Sequence, residues 1–377
     1  MPMKVCGLVA EFNPFHNGHV EYLKKARELT NADVYVLVMS PNFVQRGEPA
    51  VMSKDRRVHA ALDHGVDLVI EIPTIYTLES ADIYAFAALS LLEEIGADYV
   101  VFGTESGDTE TFINKFKNKD FSSPRMDEII QKLLAEGYSY PKAKAEALKE
   151  VNDFYLENPN DILGYSYLKM IEKHHLNIKP LCYQRPNNEK SSEHGEYTSA
   201  SALRNSYKTN RNLFKHLHYL DDYFTLLQFK LFTTSSNELK EIHLVDEGIE
   251  NLFLKNIKKA KNMDDFISLC TSKRYSGARI KRTICHILLN TTKEEASILL
   301  SRKPPYLRVL GSSSMGRKYL ATIRKDSEAN IIMRFSARDN PMLLDELKAT
   351  SVYSLNEKEN DQRSLVEGEL KDFPIKS

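Results

Sequence analysis

His16 and His19 stand three residues apart in the string Phe12-Asn13-Pro14-Phe15-His16-Asn17-Gly18-His19. If the turn that carries them is already helical, the two imidazoles share one face. A helix start also offers free backbone N–H groups and a partial positive charge, both of which favour phosphate. Two imidazoles added there can donate hydrogen bonds to phosphate oxygens. They would stabilise the charge that builds on those oxygens in an in-line displacement. Gly18 would let the backbone approach a phosphate closely. A bare pair of histidines has a plainer reading as polar helix caps. The full string, with phenylalanine, proline and glycine at fixed places, points to phosphate chemistry.

Chemistry of this kind needs a strand before the loop and a helix after it. Residues 4–12 are a mostly apolar run, as expected of a strand buried on both faces. Residues 13–18 read as a loop and residues 19–29 as a helix, with Val20, Leu23 and Ala26 on one stripe. The alternation continues with strands over 33–40, 66–73 and 97–103 and helices over 53–64 and 80–95. Residues 41–52 read as a polar loop. The expected fold class is therefore α/β, a Rossmann-like parallel sheet covered by helices. Right-handed crossovers would bring the C-terminal strand ends to one edge, where ligands of such sheets bind. Residues 178–183 read as one more strand. After about residue 205 strand signals fade, residues 213–300 read as helix after helix, and the last fifty as a short helix plus a loose tail.

The 377 residues suit about two domains. Hydrophobic residues at 42% and charged residues at 27% describe an ordinary globular chain, and no window is apolar enough for a membrane span. The N-terminus lacks a cleavage pattern, which argues against a signal peptide. Cys6, Cys182, Cys270 and Cys285 form no CxxC pair, so a reducing cytoplasm fits and a zinc ribbon does not. No GxxxxGK[ST] or HExxH string and no carboxylate cluster marks a P-loop or a dedicated metal. A formal net charge of -1, read as an average, argues against a polyanion partner, but residues 251–325 hold 17 lysines and arginines against 4 aspartates and glutamates. Lys273, Arg274, Tyr275, Arg279, Lys281 and Arg282 are the centre of that excess. Arginines bind phosphates and an aromatic ring can stack a base, so this stretch is the candidate RNA surface. The bland alternative is a solubilising helix face.

The string from Phe12 to His19 resembles the HxGH signature of the nucleotidyltransferase superfamily, whose members activate a group by attack on the α-phosphate of ATP. A second superfamily motif resembles Thr198-Ser199-Ala200-Ser201-Ala202-Leu203-Arg204. The resemblance implies that Ser199, Ser201 and Arg204 hold the β- and γ-phosphates. Val51-Met52-Ser53-Lys54-Asp55 only faintly resembles the KMSKS loop of class I aminoacyl-tRNA synthetases, and it follows the wrong strand. Ser53 is read there as a helix cap and Lys54 as solvated.

Longer stretches resemble one family, the bacterial tRNA(Met) cytidine acetate ligases: residues 7–19, 43–51, 65–73, 102–106, 159–167, 199–204, 273–282 and 305–311. That resemblance implies a nucleotidyltransferase domain over 1–205 and a mainly helical tRNA-binding domain over 206–377. It implies that acetate attacks ATP to give acetyladenylate and pyrophosphate. The acetyl group would then pass to the N(4) amine of the wobble cytidine in elongator tRNA(Met). The ATP site it implies is Gly7, Leu8, Val9, Ala10, Glu11, Phe12, Asn13, Pro14, Phe15, His16, Asn17, Gly18, His19 and Val20, with Gly103, Asn160 and Arg185. His16 and His19 are the catalytic pair, acting on the transition state rather than as bases, since acetate needs no deprotonation. Magnesium would accompany the ATP. Asn160 is either a helix cap or a ligand to ribose or base. Gln45 and Arg46 could face the same edge. Two other readings stay open: an adenylyltransferase acting on a small phosphorylated cofactor precursor, and a non-catalytic tRNA-binding module.

Overall fold

A computed structural model describes residues 2–116, 123–138, 140–152, 158–185, 200–210, 216–326, 329–336 and 342–377. Its strands are β1 (Val5–Ala10), β2 (Val34–Met39), β3 (Phe43–Val44), β4 (Glu48–Pro49), β5 (Leu68–Glu71), β6 (Tyr99–Thr104), β7 (Lys179–Gln184), β8 (Leu307–Ser312), β9 (Ile331–Ile332) and β10 (Ile375–Lys376). The main sheet runs β10-β8-β5-β2-β1-β6-β7, with β9 beside β8. From β5 to β7 every neighbouring pair is parallel. The chain winds outward from β1 through β2 to β5, then returns to the other side of β1 with β6 and β7. The crevice between β1 and β6 is thus the topological switch point, where open α/β sheets bind ligands.

Alternation along β1 explains why both sheet faces are covered. Val5 joins the apolar core under the helices Ala81–Glu94 and Pro159–His174. Cys6 and Leu8 join the opposite core, under α1 (Asn17–Thr30) and α2 (Lys54–Asp63). Gly7 lies between: a Cβ there would come within 2.7 Å of Leu92 and 2.9 Å of the Tyr99 carbonyl.

The strand pattern does not end at residue 205. β8 pairs antiparallel with β5, and β10 pairs with β8. β8 escaped the sequence pattern because Arg308 interrupts its apolar run. That arginine is 3% exposed, with Nη1 2.7 Å from Glu71 Oε2 and Nη2 donating 3.1 Å to the Glu369 carbonyl. Lys54 belongs to the same buried cluster, donating to Glu369 at 2.9 and 3.0 Å and pairing with Glu71, so it is not solvated. Ser53 precedes α2 without a side-chain cap bond. The expected loose tail is instead two packed helices, Met342–Ser354 and Glu359–Lys371, followed by β10. The expected polar loop over 41–52 holds the short β3–β4 hairpin, in which Phe43 and Val44 are fully buried.

Between Leu220 and Leu289 the chain is helical as expected, around Leu227, Phe253, Phe266, Ile280 and Ile284. Phe43 and Leu78 from the sheet half enter this same core, which joins the two halves through shared apolar packing.

Candidate active site

β1 ends at Ala10, and the loop turns sharply at Phe12, whose φ of 48° lies in the left-handed region. The Phe12 side chain is fully buried, edge-on to Phe15 at 4.9 Å and beside the His19 ring at 4.7 Å. Asn13 anchors the loop by accepting a 2.7 Å hydrogen bond from the Val51 N–H. His16 is the N-cap of α1. Gly18 N–H donates to His16 Nδ1 at 3.0 Å, and His16 N–H donates to His19 Nδ1 at 3.2 Å. This is a reciprocal capping box built from two imidazoles. A backbone N–H can only donate, so both Nδ1 atoms are acceptors and each neutral ring carries its proton on Nε2. Burial, with Arg185 and Arg204 nearby, pushes the His16 pKa down to about 4. Burial, then His16 and Arg185, holds His19 well below its usual value. At neutral pH the pair is two uncharged Nε2–H donors at the positive end of a 14-residue helix. The cap reading and the catalytic reading are therefore compatible: capping fixes the tautomer that donation requires.

The space freed by Gly18 is occupied by His16. A Cβ on Gly18 would come within 2.7 Å of Cε1 of that ring. Gly103 behaves alike at the end of β6, where a Cβ would meet Arg185 Cγ at 2.8 Å. Arg185 follows β7, and its N–H donates to the Thr104 carbonyl at 2.8 Å. Its charge reaches both histidines. Arg204, on the helix Ala200–Thr209, donates 2.8 Å to the Asn13 carbonyl and 3.0 Å to Ser201 Oγ. Residues distant in sequence thus converge on one loop. Ser199 lies outside the described residues.

Asn160 is not a helix cap; Asn158 holds that place. Its side chain donates to Glu105, whose other carboxylate oxygen is buried without a hydrogen-bond partner among the described residues. That oxygen could accept from a ligand hydroxyl. Asp161 fixes the loop by accepting from the N–H groups of Glu105 at 2.9 Å and Ser106 at 3.3 Å. Sequence reasoning missed Glu105 and Asp161; only their neighbourhood to Gly103 and Asn160 signalled them. Glu11 accepts from Gln45 N–H at 2.8 Å, and burial raises its pKa. Leu8 and Phe12 are core residues that shape the loop. Pro14 is buried, Phe15 half-buried, and Asn17 and Val20 lie at the exposed start of α1.

A model of the HIGH Nucleotidyl Transferase family matches residues 3–367. The tRNA(Met) cytidine acetate ligase of Clostridium perfringens strain SM101 is 39% identical, covering 93% of this chain and 95% of that protein. The chain belongs to the tRNA(Met) cytidine acetate ligase family. The Listeria monocytogenes EGD-e ligase is 38% identical, over 94% of this chain and 96% of its own. Among solved structures, Thermotoga maritima TmcAL in its apo form superposes with a TM-score of 0.89 at 29% identity, covering 99% of both chains. The form bound with alpha-thio ATP gives 0.86 at the same identity and coverage.

In this acetate ligase family member the basic stretch is divided in its uses. Lys273 and Arg274 are exposed, just ahead of the helix Gly277–Leu289. Tyr275 is 6% exposed and its hydroxyl donates 2.6 Å to the Glu247 carbonyl, so the ring is not open to stack a base. Arg279 lies 5.4 Å over that ring and pairs with Glu247 at 3.2 Å. Lys281 pairs with Glu48 of the β3–β4 hairpin. Arg282 is drawn in with it: burial lowers its pKa against the opposing charge of Glu79, and its Nε is enclosed.

Proposed function

We propose that the chain activates acetate with ATP, releasing pyrophosphate, and passes the acetyl group to the N(4) amine of the wobble cytidine of elongator tRNA(Met). The observation that carries the first half is the convergence of two neutral Nε2–H donors with Arg185 and Arg204 at the start of α1, on the switch-point edge. Acetate is already an anion and needs no base. The α-phosphoryl group in flight needs charge stabilisation, which fixed donors supply without reorganisation. Ser199, Ser201 and Arg204 serve the outer phosphates, Gly103 and Asn160 the nucleoside side. His16 and His19 are the catalytic pair, and the remaining residues from Gly7 to Val20 form the floor.

Magnesium enters with the nucleotide on this reading. Glu11, the carboxylate beside the loop, already accepts from the Gln45 N–H, and burial raises its pKa, so a single engaged carboxylate offers no preformed oxygen cage. The tRNA docks through residues 206–377, with Lys273 and Arg274 as phosphate contacts. Four buried free cysteines and a tRNA substrate agree with a cytoplasmic setting. Among the described residues no helix is long and apolar enough to cross a membrane.

The test is mass spectrometry of tRNA(Met) after incubation with ATP and a panel of small carboxylates. One acetyl group on the wobble cytidine, with acetate alone, is expected. Adenylylation of a phosphorylated small molecule with no tRNA product would select the cofactor adenylyltransferase instead. ATP left unconsumed in every mixture would select the binding module.

A further inference from the structure

Acetyl transfer makes a demand that activation does not. Acetate meets ATP as an anion, but an exocyclic amine must shed a proton to become an amide. Neither histidine can take that proton. Both Nδ1 atoms are occupied by backbone N–H donors, at 3.0 Å for His16 and 3.2 Å for His19, so each neutral ring is protonated on Nε2 and has no lone pair to offer. Arg185 and Arg204 are cations and only donate.

The acidic residues around the loop are engaged, with one exception. Glu105 accepts from Asn160, Asp161 from the N–H groups of Glu105 and Ser106, and Glu48 pairs with Lys281. Glu11 directly follows β1, on the switch-point edge. Its Oε1 accepts from the Gln45 N–H at 2.8 Å, and its main-chain carbonyl accepts from Arg57 Nη1 at 3.0 Å, so the residue is fixed at both ends. Its Oε2 has no hydrogen-bond partner among the described residues, yet it is not enclosed. β1 stands between β2 and β6. Gly103 and Asn160 lie on the β6 side, whereas Glu11 leans to the β2 side through Gln45 of the β3–β4 hairpin. The free oxygen thus lies across the histidine loop from the nucleoside side, where an acceptor has room to enter.

We propose that Glu11 is the general base of acetyl transfer, taking the proton from the cytidine amine. This rests on the tRNA reading above. The N(4) lone pair attacks the acetyl carbonyl carbon, and the bond from that carbon to the phosphate oxygen breaks. AMP leaves with that electron pair, and one N(4) proton passes to Glu11 Oε2. Arg46 on the hairpin, Arg204 on the helix Ala200–Thr209 and Arg57 on α2 face the carboxylate, as do the neutral hydroxyls of Tyr84 and Tyr167 from the helices Ala81–Glu94 and Pro159–His174. Burial strengthens the base, and the Gln45 hydrogen bond and the three arginines oppose it and favour the anion.

The test separates the two half-reactions in the full-length chain. Chemically prepared acetyladenylate is mixed with tRNA(Met) in single turnover, and acetylcytidine is followed by mass spectrometry. Glu11→Gln keeps an oxygen for the Gln45 N–H, and it should slow this transfer about 10²–10⁴-fold. Acetate-dependent pyrophosphate exchange should lose far less, under about tenfold. A base must be deprotonated, so wild-type transfer should fall as pH drops through the raised pKa of Glu11, and the glutamine variant should lose that limb. Glu11→Asp should restore part of the rate together with the limb. Equal losses in exchange and transfer overturn the proposal, as does an acid limb that persists in Glu11→Gln. A wild-type chain that cannot acetylate tRNA from acetyladenylate overturns the tRNA reading as well; wild-type transfer matched by Glu11→Gln overturns the role of Glu11 alone.

Discussion

The histidine loop and the basic helix both carry dense runs of functional residue types, yet the fold treats them in opposite ways. At the loop, residues from four parts of the chain meet: His16 and His19 on α1, Gly103 on β6, Arg185 after β7 and Arg204 on a later helix. At the basic stretch, six neighbouring residues are parted. Two remain open to solvent, one ring is buried, and three cations are paired with or drawn towards glutamates of other elements. A motif with fixed spacing encodes a geometry that the local backbone can realise by itself. A charge excess encodes only a total, and the tertiary structure decides how much is spent internally.

The sharpest test of that contrast is His19→Ala. It removes one fixed donor while Phe12 and Phe15 still fill the loop, so acetate-dependent exchange of labelled pyrophosphate into ATP should fall about 10²–10³-fold. Melting temperature should hardly move. Wild-type exchange in this variant would remove the pair from the mechanism. Arg204→Lys comes next. A single ammonium cannot bridge the Asn13 carbonyl and Ser201 as the guanidinium does, so kcat/KM for ATP should drop about 10–100-fold without rescue by lysine. Gly18→Ala should cost about tenfold in the same assay, since its Cβ would displace the His16 ring.

On the basic side, Lys273→Glu with Arg274→Glu should weaken tRNA binding about tenfold and make its salt dependence shallower by about two. Pyrophosphate exchange should be unaltered. Arg282→Glu should behave differently, losing about 2 kcal/mol of stability by placing a carboxylate against Glu79. Equal tRNA defects with equal stability in both variants would mean the stretch acts as one patch after all. The smallest expected effect is a flat line. With His16 held at about 4 and His19 also well below its usual value, exchange activity should show no inflection near 6.5.

Sequence pattern made the parallel strands β1, β2, β5 and β6 legible because each is a mostly apolar run between turn residues. It also made the histidine loop legible, as the motif sits directly after the first strand. β8 was hidden by Arg308, since an unpaired arginine cannot be buried and its partners Glu71 and Glu369 are remote in sequence. Lys54 misled for the same reason. Glu105 and Asp161 were invisible because their roles come from the packing of the helix Pro159–His174 against the end of β6.

The cluster of Lys54, Glu71, Arg308 and Glu369 carries a consequence for how the protein is made. Two cations and two carboxylates are shut away from water, and each sign neutralises the other. On the ribosome, Lys54 and Glu71 emerge long before Glu369. Those two neutralise each other, and Arg308 then adds a positive charge whose buried partner in the finished cluster is Glu369. The nucleotide-binding half, though encoded first, therefore takes its last buried counter-charge from residue 369, near the other end of the sequence.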